Sequence, residues 1–132
     1  MILENFYTIE NKIVDKDKIN YSFEIKINNK HDIFKGHFPG NPVMPGVCMM
    51  QIIKEITQSI VGQKLFMEKC SNVKFLALIN PDTNPILTLE LKIIELDGII
   101  KVRNTTKFDD TVALRLSAQY KKVGSNTNLI EN

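Results

Sequence analysis

The sequence predicts an α+β fold in which a curled antiparallel β-sheet wraps around one long central helix. Two observations carry that prediction. A single segment, from about residue 45 to 61, is apolar on too many sides to be a surface helix. The clearest segments on either side alternate apolar and polar residues with the period of two that marks a half-buried strand. A helix that is apolar nearly all round must be covered nearly all round, and strands are the only other elements on offer to cover it.

Taken in order, residues 5 to 14 (FYTIENKIVD) read as an irregular first strand. The second is cleaner: Tyr21, Phe23, Ile25 and Ile27 alternate with Ser22, Glu24, Lys26 and Asn28. A polar run from Asn28 to Asp32 ends it, and His31 within that run reads as a solvated turn residue. The next stretch is unusual. Gly36, Pro39, Gly40, Pro42, Pro45 and Gly46 crowd eleven positions around His37. Proline fixes φ and glycine admits φ > 0, so this loop reads as a rigid, shaped path rather than a tether.

The helix is expected over roughly Pro45 to Val61, with Gly62 as the residue beyond its C-terminus. Val47, Met49, Met50, Ile52, Ile53, Ile56 and Ile60 form its apolar surface, leaving a narrow polar face of Gln51, Lys54, Glu55, Gln58 and Ser59. Gln51 and Glu55 stand one turn apart and share a face. A linker, QKLFMEKC, is expected next, then a short strand over Val73 to Ile79 and a turn at Asn80, Pro81 and Asp82. Leu87, Leu89, Leu91 and Ile93 alternate with polar residues, Asp97-Gly98 signals a hairpin into Ile100 and Val102, and Asp109-Asp110 marks another turn. Val112, Leu114, Leu116, Ala118 and Tyr120 give the last strand its apolar face. Residues 1–123 are expected to form one domain, and 124–132 a disordered tail. An open edge on so small a sheet favours pairing with a second chain.

Composition excludes several functions. A net charge of +2 is too weak to argue for nucleic acid, although it suits an acidic partner. Cys48 and Cys70 have no metal-ligand spacing and are too few for a disulfide framework, so reduced cytoplasmic thiols are expected. Cys48 lies near the helix start, where a thiol pKa can be lowered. No basic-then-apolar leader and no membrane-length apolar run is present in the sequence. The loop and helix start are more positive evidence. Amides at a helix N-terminus beside a histidine suit polarising a carbonyl and moving a proton.

The stretch GHFPGNPVMPGV, running into an apolar helix, resembles the 3-hydroxyacyl-(acyl-carrier-protein) dehydratases, which have the hot-dog fold. NVKFLALINPDT also resembles a strand and turn of that family, with Leu78 in place of a proline. The resemblance covers about residues 5 to 122. It implies a dimer with sites at the subunit interface, possible higher oligomers built from dimers, and no metal or other cofactor. It also implies a phosphopantetheine-linked acyl chain on acyl carrier protein as substrate. His37 would act on the C2 proton, the Gly46 amide would bind the thioester oxygen, and Phe38, Val47 and Met50 would contact the substrate. Met44 and Met49 are either core fillers or part of the acyl tunnel.

The family places a carboxylate fourteen residues after the histidine, and here that position is Gln51, with Glu55 one turn on. Three readings follow. Glu55 supplies the proton through a water or a shifted substrate; Gln51 orients a water; or the chain binds acyl groups without turning them over, as half of a heterodimer. A hot-dog thioesterase is a further alternative, with a polar helix residue placing the hydrolytic water. Against all of these stands the ordinary fate of a helical glutamate, which is to be solvated or paired with lysine.

Overall fold

The computed structural model describes residues 3–36 and 40–123. Among these residues, six strands and one α-helix run in order as β1 (Tyr7–Val14), β2 (Asn20–Ile27), α1 (Gly46–Val61), β3 (Leu65–Phe75), β4 (Ile86–Leu96), β5 (Ile99–Phe108) and β6 (Thr111–Lys122). All ladders are antiparallel, in the spatial order β1-β2-β4-β5-β6-β3. This is the expected hot-dog arrangement, a curled sheet around one central helix.

The core explains why the helix had to be apolar. Cys48, Met49, Ile52, Ile53, Ile56 and Thr57 are buried on α1. All of these but Thr57 belong to one apolar cluster with Phe23, Ile25 and Ile27 of β2, Leu87, Leu89, Leu91 and Ile93 of β4, and Leu114, Leu116 and Tyr120 of β6. Each aliphatic side chain so buried contributes roughly 1.5–3 kcal/mol relative to exposure. Thr57 fits among them because its hydroxyl donates to the Ile53 carbonyl at 2.7 Å. Buried Asn104 and Thr106 satisfy each other similarly on β5: Thr106 Oγ1 donates to Asn104 Oδ1 at 2.8 Å, and Asn104 Nδ2 to the Glu90 carbonyl at 3.2 Å.

Local chemistry sets the element ends. Pro45 caps the start of α1 with extended backbone at φ −66° and ψ 138° and makes no side-chain capping bond. Gly62 closes the helix at φ 74°, its amide donating to the Gln58 carbonyl at 2.8 Å. Asp97 and Gly98, at φ 53° and 77°, make the predicted tight turn between β4 and β5.

Two sequence expectations need correction here. The stretch QKLFMEKC is largely not a linker: from Leu65 onward it is strand β3, at the sheet edge beside β6. Register shifts between Met67 and Lys69 and between Cys70 and Asn72 reset its alternation, which is why no period of two is legible. Conversely, the strand expected over Val73 to Ile79 stops at Phe75. The Leu76 and Ala77 amides both donate to the Ala113 carbonyl, and the chain then leaves the ladder so that the Ile79 carbonyl accepts from the Met44 amide at 2.8 Å. The tail expected over 124–132 lies outside the described residues.

Candidate active site at the start of the helix

The departure of residues 76–79 from the sheet builds a cavity. Because Ile79 is tied to Met44, the segment crosses the N-terminal end of α1 and leaves a space of about 190 Å³. Its lining is mainly apolar: Met44, Gly46, Met49, Phe75, Leu78 and Ala113 are among the residues that face it. Met44 and Met49 are thus both core and cavity wall. Val47 is 60% exposed and Met50 half-buried, and neither belongs to that lining.

Gly46 is the residue on which the cavity turns. It opens the helix, and the first bonds of that turn come from the Cys48 and Met49 amides, which both reach the Pro45 carbonyl. The amides before them belong to the orphan donors of a helix N-terminus, where the positive end of the macrodipole also lies. A Cβ at position 46 would sit 2.7 Å from Cζ of Phe75, so only glycine lets that ring lie against the helix start. The result is a donor-bearing backbone end beside an apolar hollow, a geometry suited to a polarised carbonyl attached to an apolar chain.

Farther along α1, Gln51 and Glu55 are both half-buried and bonded to each other, with Gln51 Nε2 donating to Glu55 Oε2 at 3.0 Å. The other carboxylate oxygen, Oε1, accepts from the Tyr7 hydroxyl at 2.9 Å. Among the described residues Glu55 pairs with no lysine; half-buried, it is the centre of a three-residue network. Burial, followed by the hydrogen bond to Glu55 and the negative charge of Glu55, pushes the Tyr7 pKa well above the usual tyrosine range. At about 1.5 Å per residue, Gln51 stands some 7–8 Å along the axis from Gly46 and Glu55 some 13–14 Å. His37 and Phe38 lie outside the described residues.

Two other readings change. Cys48 does not carry a lowered pKa: it is 2% exposed, and desolvation by burial pushes its thiol up despite the nearby helix start. His31 is more than a solvated turn residue. Its Nδ1 accepts from the Ile33 amide at 3.1 Å, Nε2 lies 3.0 Å from the Glu4 carbonyl, and the ring meets Phe6 edge-on. It caps the short 3₁₀ turn Asp32–Phe34 that precedes the Gly/Pro loop. Tyr7 and Phe75 are the contributors that residue patterns did not single out. Nothing local pairs residue 7 with residue 55, and Phe75 carried no signal beyond its place in the NVKFLALINPDT stretch.

The comparisons with known proteins agree with this architecture. The family model described as ApeI-like, the ApeI dehydratase, matches residues 12–113. The chain belongs to that family of hot-dog dehydratases. It is 25% identical over 104 residues to the 3-hydroxyacyl-(acyl-carrier-protein) dehydratase FabZ of Enterococcus faecalis, covering 74% of this chain and 69% of the relative. It is 32% identical over 73 residues to the FabZ of Clostridium acetobutylicum, spanning half of each chain. Among solved structures, it is similar to the dehydratase heterocomplex ApeI:P from Xenorhabdus doucetiae, with a TM-score of 0.65, 20% identity, and coverage of 87% of this chain and 97% of that one. A hypothetical thioesterase solved with coenzyme A from Streptococcus pneumoniae gives a TM-score of 0.63 at 15% identity, covering 89% of each chain. At those identities the two structures report the shared fold.

Proposed function

We propose that the protein dehydrates a 3-hydroxyacyl thioester, carried on the phosphopantetheine arm of an acyl carrier protein, to the trans-2-enoyl thioester. The observation that carries this reading is the cavity at the helix start, where the Gly46 end of α1 adjoins an apolar hollow. A thioester carbonyl seated there would accept a hydrogen bond from the helix-start amide as C2 loses its proton and charge builds on oxygen. His37 takes the C2 proton in this reading; the C3–O bond breaks, the C2=C3 bond forms, and hydroxide leaves as water with a proton from a water molecule that Gln51 orients, the proton on His37 restoring that water afterwards. Membership of the ApeI-like dehydratase family supports the reaction class.

The assembly proposed is a dimer, with His37 and Gln51 of one site drawn from different chains. Support comes from β3, which borders β6 on one side only and ends at the exposed Phe75, with exposed Leu76 and Leu78 in the segment that follows. A second reading is favoured by one specific observation, the amide of Gln51 at the acid position. In that reading the chain is the acyl-binding half of a heterodimer whose partner supplies the acid; the similar ApeI:P structure is itself a dehydratase heterocomplex.

Incubating the protein with 3-hydroxyacyl carrier protein, and following both enoyl thioester and free acid, separates the readings. Enoyl formation by the chain alone supports the dehydratase. Free acid makes it a thioesterase. Neither product, with retained binding, makes it a partner subunit.

A further inference from the structure

The network at Tyr7 extends what the site can recognise. We propose that Tyr7 is a positioning residue: through Glu55 it fixes the side-chain amide of Gln51 so that Oε1 is offered to the ligand as a hydrogen-bond acceptor for a hydroxyl. This rests on the acyl-thioester reading for the identity of the ligand, but the network itself does not.

The argument is one of donor and acceptor inventory. A glutamine amide donates only from nitrogen and accepts only at oxygen. Glu55 Oε2 is bonded to Gln51 Nε2, and a carboxylate oxygen in that place requires the amide to turn its nitrogen inward. Gln51 Oε1 is thereby directed away from Glu55, and it takes no hydrogen bond from any described residue. Left to itself, a lone pair of side chains on a helix surface would exchange between rotamers. Tyr7 removes that freedom. Its hydroxyl occupies Glu55 Oε1 at 2.9 Å, from a strand that is itself held by pairing Tyr7 opposite Ile27. The raised pKa of Tyr7 keeps the hydroxyl a donor through neutral pH. Both carboxylate oxygens thus accept, and Glu55 faces Tyr7 and Gln51 rather than standing free to meet a substrate. Glu55 is assigned to positioning as well, and the acceptor at Gln51 suits a ligand bearing a hydroxyl over one lacking it.

The test compares Kd values of a 3-hydroxyacyl pantetheine thioester and its analogue without the hydroxyl, on the intact chain. One neutral hydrogen bond is worth about 1 kcal/mol, so the wild type should prefer the hydroxylated ligand roughly five- to tenfold. Tyr7→Phe, and independently Glu55→Ala on a helix that tolerates alanine, should reduce that ratio to about twofold or less while leaving the analogue's Kd within about twofold. A merely structural role would weaken both ligands alike. A ratio unchanged in both variants, or equal loss for both ligands, overturns the proposal. The ¹⁵N side-chain signal of Gln51, assigned by its disappearance in Gln51→Glu, is read in the same samples without ligand. It should be restrained in the wild type and mobile in Tyr7→Phe; equal mobility overturns the proposal whatever the ligands do. If neither thioester binds the wild type, the acyl-thioester reading falls. The Gln51 signal then decides the positioning role alone, in favour if Tyr7→Phe frees it and against if it does not.

Discussion

At the scale of single residues, the structure separates groups that touch the cavity from groups that act through others. Gly46 is the sharpest case. Gly46→Ala would drive a Cβ to within 2.7 Å of Phe75 Cζ, but that ring is 57% exposed and can swing outward. Stability should therefore change by less than about 1 kcal/mol, whereas thioester binding should fall, because the displaced ring no longer covers the helix start. Denaturant unfolding and a Kd on the same variant check the split. His37→Ala should lower dehydration by about 10²- to 10⁴-fold, the usual contribution of a general base. Single-turnover kinetics with circular dichroism would show whether folding stays intact. Tyr120 makes a different point. Its hydroxyl is buried with no hydrogen-bond partner among the described residues, and burial raises its pKa, with a smaller contribution from Cys70. Tyr120→Phe should hold or raise stability, by up to about 1–2 kcal/mol, instead of lowering it. The sign of the pH dependence follows. The folded state holds the tyrosine proton more tightly than the unfolded chain, so this contribution is present below pH ~10 and lost as pH rises beyond it. The alkaline loss of stability should be smaller in Tyr120→Phe.

At the scale of elements, α1 serves both as core and as scaffold for the site. Ile52 and Ile53 are 0% exposed, and between them the helix meets the sheet around it. Ile53→Ala should cost about 2–5 kcal/mol, depending on how far the site collapses, as measured by the shift in urea midpoint at unchanged slope. Gln51 is next to these positions in sequence, yet half-buried on the helix's polar face. The same turn therefore offers one side to the core and one to the Gln51–Glu55–Tyr7 network. Strand β3 shows the converse economy. Its bulges cost regular pairing, but its exit after Phe75 is what places Leu78 and Ile79 around the cavity.

At the scale of the whole molecule, β1 and β3 are both edge strands, and the unpaired side of β3 lies nearer the cavity through Phe75. Phe66 and Phe75 on that strand are 60% and 57% exposed, and Val47 beside the helix start is 60% exposed. Pairing of two β3 edges would cover backbone donors and these side chains together. Analytical ultracentrifugation should find twice the 15.1 kDa chain mass, and Phe66→Lys should shift the population toward the monomer. A wild-type monomer at working concentrations would remove the shared-site dimer and leave the heterodimer reading to be tested with a partner chain.

The fold and the Pro45–Gly46 helix start are written in local patterns of the chain. An apolar surface too wide for a surface helix demands a wrapping sheet, and period-two alternation survives wherever a strand has one wet and one dry face. That is why β2, β4 and the Asp97-Gly98 hairpin were legible, and why β3, an edge strand with shifted register, was not. Gly46 was legible because proline followed by glycine at a helix start is a local signal. The tertiary structure alone decided what Glu55 does. Helical spacing places Glu55 beside Gln51, but only the curl of the sheet brings Tyr7, 48 positions away, onto its other oxygen. The same holds for Phe75 over Gly46 and for the fate of Cys48, whose thiol responds to the dry core around it more than to the helix end nearby. Periodicity reports which face of an element is dry; it carries no record of which distant group will meet it there.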